Sequence, residues 1–95
     1  MKYLEKYDFT NEEIEYLEAN VPSRLKEKLN ENYKLVGQNL NYLKELGVSN
    51  FKIIFSKYYD MFLMDYSNFT GIFKKYDTED LIEKLNQNME IIEFL

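Results

Sequence analysis

Between Phe51 and Tyr76 eight aromatic residues recur at every third or fourth position: Phe51, Phe55, Tyr58, Phe62, Tyr66, Phe69, Phe73 and Tyr76. That spacing is the period of one helix face and no strand reproduces it. Val, Ile and Thr are sparse elsewhere, helix formers dominate, and Pro22 is the only proline. The expected fold is therefore all-α: four or five helices as a small helical bundle or a short α-helical repeat stack, with residues 1–95 forming one domain. The same stripe would suit a groove for a partner helix, a ligand or stacked bases. Its regular helical spacing favours the core instead.

Individual helices have readable ends. Thr10-Asn11-Glu12-Glu13 spells a capping box, Ile14 and Leu17 supply an apolar face, and Pro22 closes this short helix. Ser23 is expected to cap a second, carried by Leu25, Leu29, Val36, Leu40, Leu43 and Leu46, with Gly37 as a weak spot. Gly47 followed by Val48 suits a Schellman-type end. Ser49 should cap a third helix with Phe51, Ile54, Phe55 and Tyr58 inward, and Thr78 a last one running through Leu81, Ile82, Leu85, Met89 and Ile92. Residues 51–76 read as one long helix or as two broken near Ser67-Asn68-Phe69-Thr70-Gly71; the broken form is the one expected.

Composition narrows the chemistry. The chain has no Cys and no His, which leaves no disulfide, no thiolate or imidazole metal site and few nucleophile–base pairs. An EF-hand loop starting at Asp65 fails, because Thr70 stands where glycine is required and Tyr76 where glutamate is required. Acids at Glu12, Glu13, Asp77, Glu79 and Asp80 sit where helix dipoles favour them. Three glycines form no phosphate loop. An enzyme is not expected, nor a cofactor, metal or small-molecule substrate.

Charge is segregated along the chain. Residues 1–20 carry six acids against Lys2 and Lys6, residues 21–57 seven bases against three acids, and residues 58–95 eight acids against three bases. Such blocks suit docking of one segment on another or a basic strip for a polyanion; a solvated mixed-sign surface is the plainer reading. Arg24, Lys28 and Lys34 form the candidate nucleic-acid row, with Glu27 and Glu31 interleaved as ion-pair partners. Tyr59, off the aromatic stripe, and Ile91, Phe94 and Leu95, in the apolar run Glu90–Leu95, are the candidate protein-contact residues. No signal peptide, transit peptide or membrane-length apolar run is visible, so the cytoplasm is the expected location and a membrane is not an expected partner.

Three helix starts look alike, at Phe9-Thr10-Asn11, Val48-Ser49-Asn50 and Thr78. The stretch Asn20-Val21-Pro22-Ser23-Arg24-Leu25, continued by Leu40, Leu43 and Leu46-Gly47-Val48-Ser49, resembles the mitochondrial transcription termination factor (mTERF) repeat. The resemblance covers about one and a half repeats, and implies a curved stack of helical repeats that binds nucleic acid. Met61 stands in the second unit where the first has Pro22, and the overall charge is −5. The favoured function is a non-enzymatic protein–protein interaction or structural module, self-associating through its apolar C-terminal helix in one version. An mTERF-like nucleic-acid binder using the basic second helix is the alternative.

Overall fold

The chain enters its first α-helix, α1 (Asn11–Asn20), through the capping box written in its sequence. Thr10 Oγ1 accepts the Glu13 N–H at 3.1 Å while the Glu13 carboxylate accepts the Thr10 N–H at 2.8 Å. The helix ends where a residue preceding proline must be extended, at Val21 with ψ 130°. Pro22 is itself the N-cap of α2 (Ser23–Glu31), so Ser23 is already helical and caps nothing. The computed structural model describes residues 1–95.

Six α-helices and three 3₁₀ helices make up an all-helical fold, more than the four or five helices expected. Three breaks inside the expected segments, together with an N-terminal 3₁₀ helix at Lys2–Tyr7, account for the difference. The long second helix divides at Asn32 into α2 and α3 (Tyr33–Leu46), not at Gly37. There the Asn32 N–H and side-chain amide both donate to the Lys28 carbonyl, at 3.0 and 2.9 Å. Asparagine offers its backbone such an alternative, whereas a buried glycine merely leaves room for a neighbour.

The second break precedes Ser67. After α4 (Phe51–Lys57) come a 3₁₀ turn at Tyr59–Leu63 and an extended Met64; Asp65 then caps α5 (Tyr66–Lys74) by accepting the Ser67 and Asn68 N–H groups. The Ser67–Gly71 cluster is thus helix and not a turn. The third break is Asn88, extended at φ −151°, which separates α6 (Thr78–Gln87) from a closing 3₁₀ helix, Met89–Phe94.

The remaining caps are also shifted. Asp77, not Thr78, caps α6, its carboxylate accepting the Asp80 N–H at 3.2 Å. Ser49 donates through both N–H and hydroxyl to Asn86 Oδ1, while Asn50 Nδ2 donates to the Leu85 carbonyl, so the residues before α4 tie it to the end of α6. The Schellman end of α3 is as the sequence states it. Gly47 sits at φ +102°, its N–H reaches the Lys44 carbonyl, the Val48 N–H reaches that of Leu43, and Val48 is buried.

Around α3 pack α2, α4, α5, the central 3₁₀ turn and the first 3₁₀ helix, Lys2–Tyr7. The buried apolar residues form one cluster. Through it runs a ladder of rings: Phe9, Phe55, Phe62, Phe69 and Phe73 meet in sequence at centroid distances of 5.7, 5.1, 5.1 and 5.2 Å, edge-on or tilted. Such contacts add about 0.5–1.5 kcal/mol each beyond area burial. The phenylalanines of the stripe are therefore core, while Tyr66 and Tyr76 remain exposed at its margin.

Acidic and basic blocks do meet. Asp8 pairs with Lys44 at 2.8 Å, Glu13 with Lys52 at 3.1 Å, Glu18 with Lys26 at 3.7 Å and Glu90 with Lys57 at 3.0 Å. All are partly solvated and individually modest. Inside, Asn39 on α3 is fully buried, and its Nδ2 donates to the carbonyls of Phe62 (3.0 Å) and Met64 (2.9 Å), two groups with no helical partner. Asn39→Ala and Asn39→Leu should each lower unfolding free energy by roughly 2–4 kcal/mol, because both orphan one buried and one half-buried carbonyl. Urea denaturation followed by circular dichroism measures it; a loss below that of an exposed Asn→Ala control such as Asn30→Ala would contradict the assignment.

Candidate functional site: a tyrosine-lined trough across α3

Lys34, Gln38, Asn41 and Glu45 recur at helical spacing along α3 and form a single solvent-facing stripe. Tyrosines flank it, Tyr3, Tyr7 and Tyr33 toward Lys34 and Tyr42 and Tyr66 toward Glu45. Two adjoining hollows lie over the stripe, of about 640 and 530 Å³, and Gln38 and Asn41 line both. They form one open-sided trough, polar along its floor and aromatic along its walls.

The first wall is the N-terminal 3₁₀ helix, which presents Tyr3, Lys6 and Tyr7. Leu4 anchors it in the core, and the half-buried Tyr3 hydroxyl donates to the Leu29 carbonyl at 2.8 Å. Asp8 turns the chain away at φ 69°, a left-handed conformation that aspartate tolerates better than most residues. Lys52 donates to the Asp8 carbonyl, and Lys44 meets its carboxylate. Tyr7 then lies directly over Gly37: a Cβ there would overlap the Tyr7 hydroxyl. Gly37 is the point where ring and helix approach. Tyr33 leans on Tyr3 with centroids 5.9 Å apart.

The second wall comes from Tyr42 and from Tyr66 in α5, packed edge-to-face at 6.2 Å. Tyr42 also touches Phe69 and Phe73, at 6.3 and 6.0 Å, so this rim is continuous with the phenylalanine ladder. Charge is ordered along the floor. Lys6 and Lys34 stand at one end and Glu45 at the other, all three exposed and none in an ion pair.

Burial pushes the Tyr3 hydroxyl well above the ordinary tyrosine value, with Tyr7 and Glu18 adding to it; burial and then Tyr66 push Tyr42 up as well. Both rings stay neutral phenols near neutral pH, suited to hydrogen bonding and contact. No three carboxylates gather closely enough to hold a metal ion.

Of the residues singled out in the sequence, Lys34 lies in the trough. Arg24 and Lys28 are exposed on α2, beyond the Asn32 break, and neither pairs with Glu27 or Glu31. Tyr59, Ile91 and Leu95 are half-buried against the core, whereas Phe94 is 85% exposed on the last 3₁₀ helix. That helix is held beside α4 by the Lys57–Glu90 pair and by the Tyr58 hydroxyl on Glu93. Sequence reading passed over Tyr3, Tyr7, Tyr33 and Tyr42. The available signals were the i,i+4 pair Tyr3/Tyr7 and a glycine inside an otherwise strong helix. No helix is long and apolar enough to cross a membrane. No protein family, curated protein or solved structure matches the chain.

Gly37→Ala should displace the Tyr7 ring while leaving the fold intact. The alanine gains roughly 0.5–1 kcal/mol of helix preference, which offsets moving the free end of one side chain. Net stability should change by less than about 1 kcal/mol, with proton NMR showing altered Tyr7 ring resonances; unmoved rings would refute the contact.

Acid should loosen the first wall. Lys44 holds Asp8, the Thr10 backbone and then Lys52 hold Glu13, and the N-terminal ammonium and then Lys26 hold Glu18 below their usual values of 3.8, 4.5 and 4.5. A depressed carboxylate contributes stability above its unfolded pKa and loses it as pH falls through the folded one. Melting temperature should therefore hold between about pH 7 and 5 and drop below about pH 4.5. Asp8→Asn should reduce that drop; melts followed by circular dichroism supply the comparison.

Proposed function

We propose that this chain is a non-enzymatic protein–protein interaction module of the cytoplasm, and that the trough across α3 is its contact surface. The observation that carries this reading is the convergence of five tyrosines, from the first 3₁₀ helix, α3 and α5, on one solvent-facing stripe. Tyrosine is enriched at binding hot spots because one rigid ring combines apolar area with a polar end at small entropic cost. An open, half-polar trough suits a chain segment better than an enclosed small molecule. Phe94, exposed on the last 3₁₀ helix, is the candidate point for self-association beside it.

Selection of displayed peptides and protein fragments against the whole chain tests this reading. Ligands of the trough should bind the Tyr33→Ala/Tyr66→Ala variant at least about tenfold more weakly. Both tyrosines are more than 40% exposed, so the variant should fold. Ligands indifferent to the substitutions would refute the trough as the contact surface.

The mTERF-like reading, a repeat-type nucleic-acid binder, has one observation in its favour. Of the seven bases in residues 21–57, Lys26, Lys44, Lys52 and Lys57 are in ion pairs, and Arg24, Lys28 and Lys34 are free for phosphate. Fluorescence anisotropy with labelled DNA and RNA, single- and double-stranded, decides it. Binding at low salt that falls steeply near physiological salt and is abolished by Lys28→Glu would support it. Absence of binding at low salt would remove it.

A further inference from the structure

The trough's charge order, Lys6 and Lys34 at one end and Glu45 at the other, specifies more than a generic contact surface. We propose that it takes an extended peptide segment that carries an acidic residue over the lysines and a basic residue over Glu45. The proposal rests on the interaction-module reading and names the partner of that same site.

Length is the first argument. From Lys34 to Glu45 is eleven residues of α-helix, or about 16 Å at the helical rise. An extended strand covers that distance in about five residues. Floor chemistry is the second. Gln38 and Asn41 each present a carbonyl and an amino group to the trough, the two functions a peptide backbone needs when it lies down without a strand partner. Charge is the third. Neither lysine has a carboxylate of its own and Glu45 has no cation, so a ligand of matching charge order completes pairs that the fold leaves open.

A nucleic-acid strand fits this geometry less well. Its phosphates would be attracted at the lysine end but driven against Glu45 at the other, on a molecule of net charge −5. An enclosed organic ligand would find no lid. A peptide with one acid and one base, in a set direction, satisfies floor, walls and ends together.

The test is selection from a displayed library of random dodecapeptides against the wild-type chain and against Lys34→Glu/Glu45→Lys. Both substituted side chains are exposed, so folding is retained and circular dichroism verifies it. Wild type should enrich peptides with an acid and a base about five residues apart. The double reversal should enrich the opposite order, and peptides exchanged between the two proteins should bind about tenfold more weakly. Enriched peptides that need Tyr33 and Tyr66 but show no charge order, or keep one order on both proteins, would overturn this proposal and leave the interaction-module reading standing. Peptides that bind without those tyrosines would overturn both. Tight binding of single-stranded oligouridylate in place of any peptide would overturn the proposal in favour of RNA.

Discussion

The link between the central 3₁₀ turn and α5 depends on one buried amide. The ladder needs Phe62 in the core, and the chain reaches it in a 3₁₀ turn rather than in an α-helix. That geometry leaves the buried Phe62 carbonyl and the half-buried Met64 carbonyl without helical partners, and Asn39 Nδ2 donates to both. Its own Oδ1 has no hydrogen-bond partner, a cost tolerated because no apolar side chain could supply the two donors. By fixing Met64, Asn39 fixes where Asp65 caps α5, and so where Tyr66 stands beside Tyr42. A polar group inside the core thereby sets the position of an aromatic wall outside it.

The two walls of the trough rest on different physics. Tyr42 is backed by the buried Phe69 and Phe73, and the more exposed Tyr66 packs on Tyr42 in turn. The opposite wall is anchored by the buried Met1, Leu4 and Phe9 and by the Tyr3 hydroxyl bond, with charged ties around Asp8, Glu13 and Glu18 added at its edge. Surface pairs of this kind contribute little singly and are screened by salt. On this side the half-buried Tyr7 rests its ring on Gly37, a close approach that only a residue without a Cβ permits.

How far the sequence was legible follows from how local each signal is. The Thr10/Glu13 capping box and the Gly47–Val48 helix end are completed within a few residues of themselves, and both read correctly. The phenylalanine stripe read correctly as core because burial of large rings needs no knowledge of topology. The breaks at Asn32 and Asn88 were missed because they are polar choices between two nearly equal local bonding patterns, and the break expected near Ser67 lies a few residues earlier, where Asp65 rather than the Ser67–Gly71 cluster starts the next helix. Ser49 looked like a cap, yet its hydrogen bonds go to Asn86, thirty-seven residues away. The trough was illegible for the same reason. Tyr3 meets Tyr33, and Tyr42 meets Tyr66, only after the chain folds, and in sequence Tyr66 simply continues the core stripe.

Charge segregation acquires a meaning that a count of acids and bases lacks. The acidic first block and the last consume four bases of the middle block, in pairs that hold the N-terminal segment and the C-terminal 3₁₀ helix against the body. What the folding contacts leave over in that block is Arg24, Lys28 and Lys34, with Lys6 brought alongside Lys34 by the first wall. On an acidic molecule this residue of positive charge is a local exception, placed at α2 and at one end of the trough. Exposed charges of this sort steer approach and fix orientation more than they hold a complex together. On the proposed reading, holding falls to the tyrosines and the end charges set the direction in which a ligand lies.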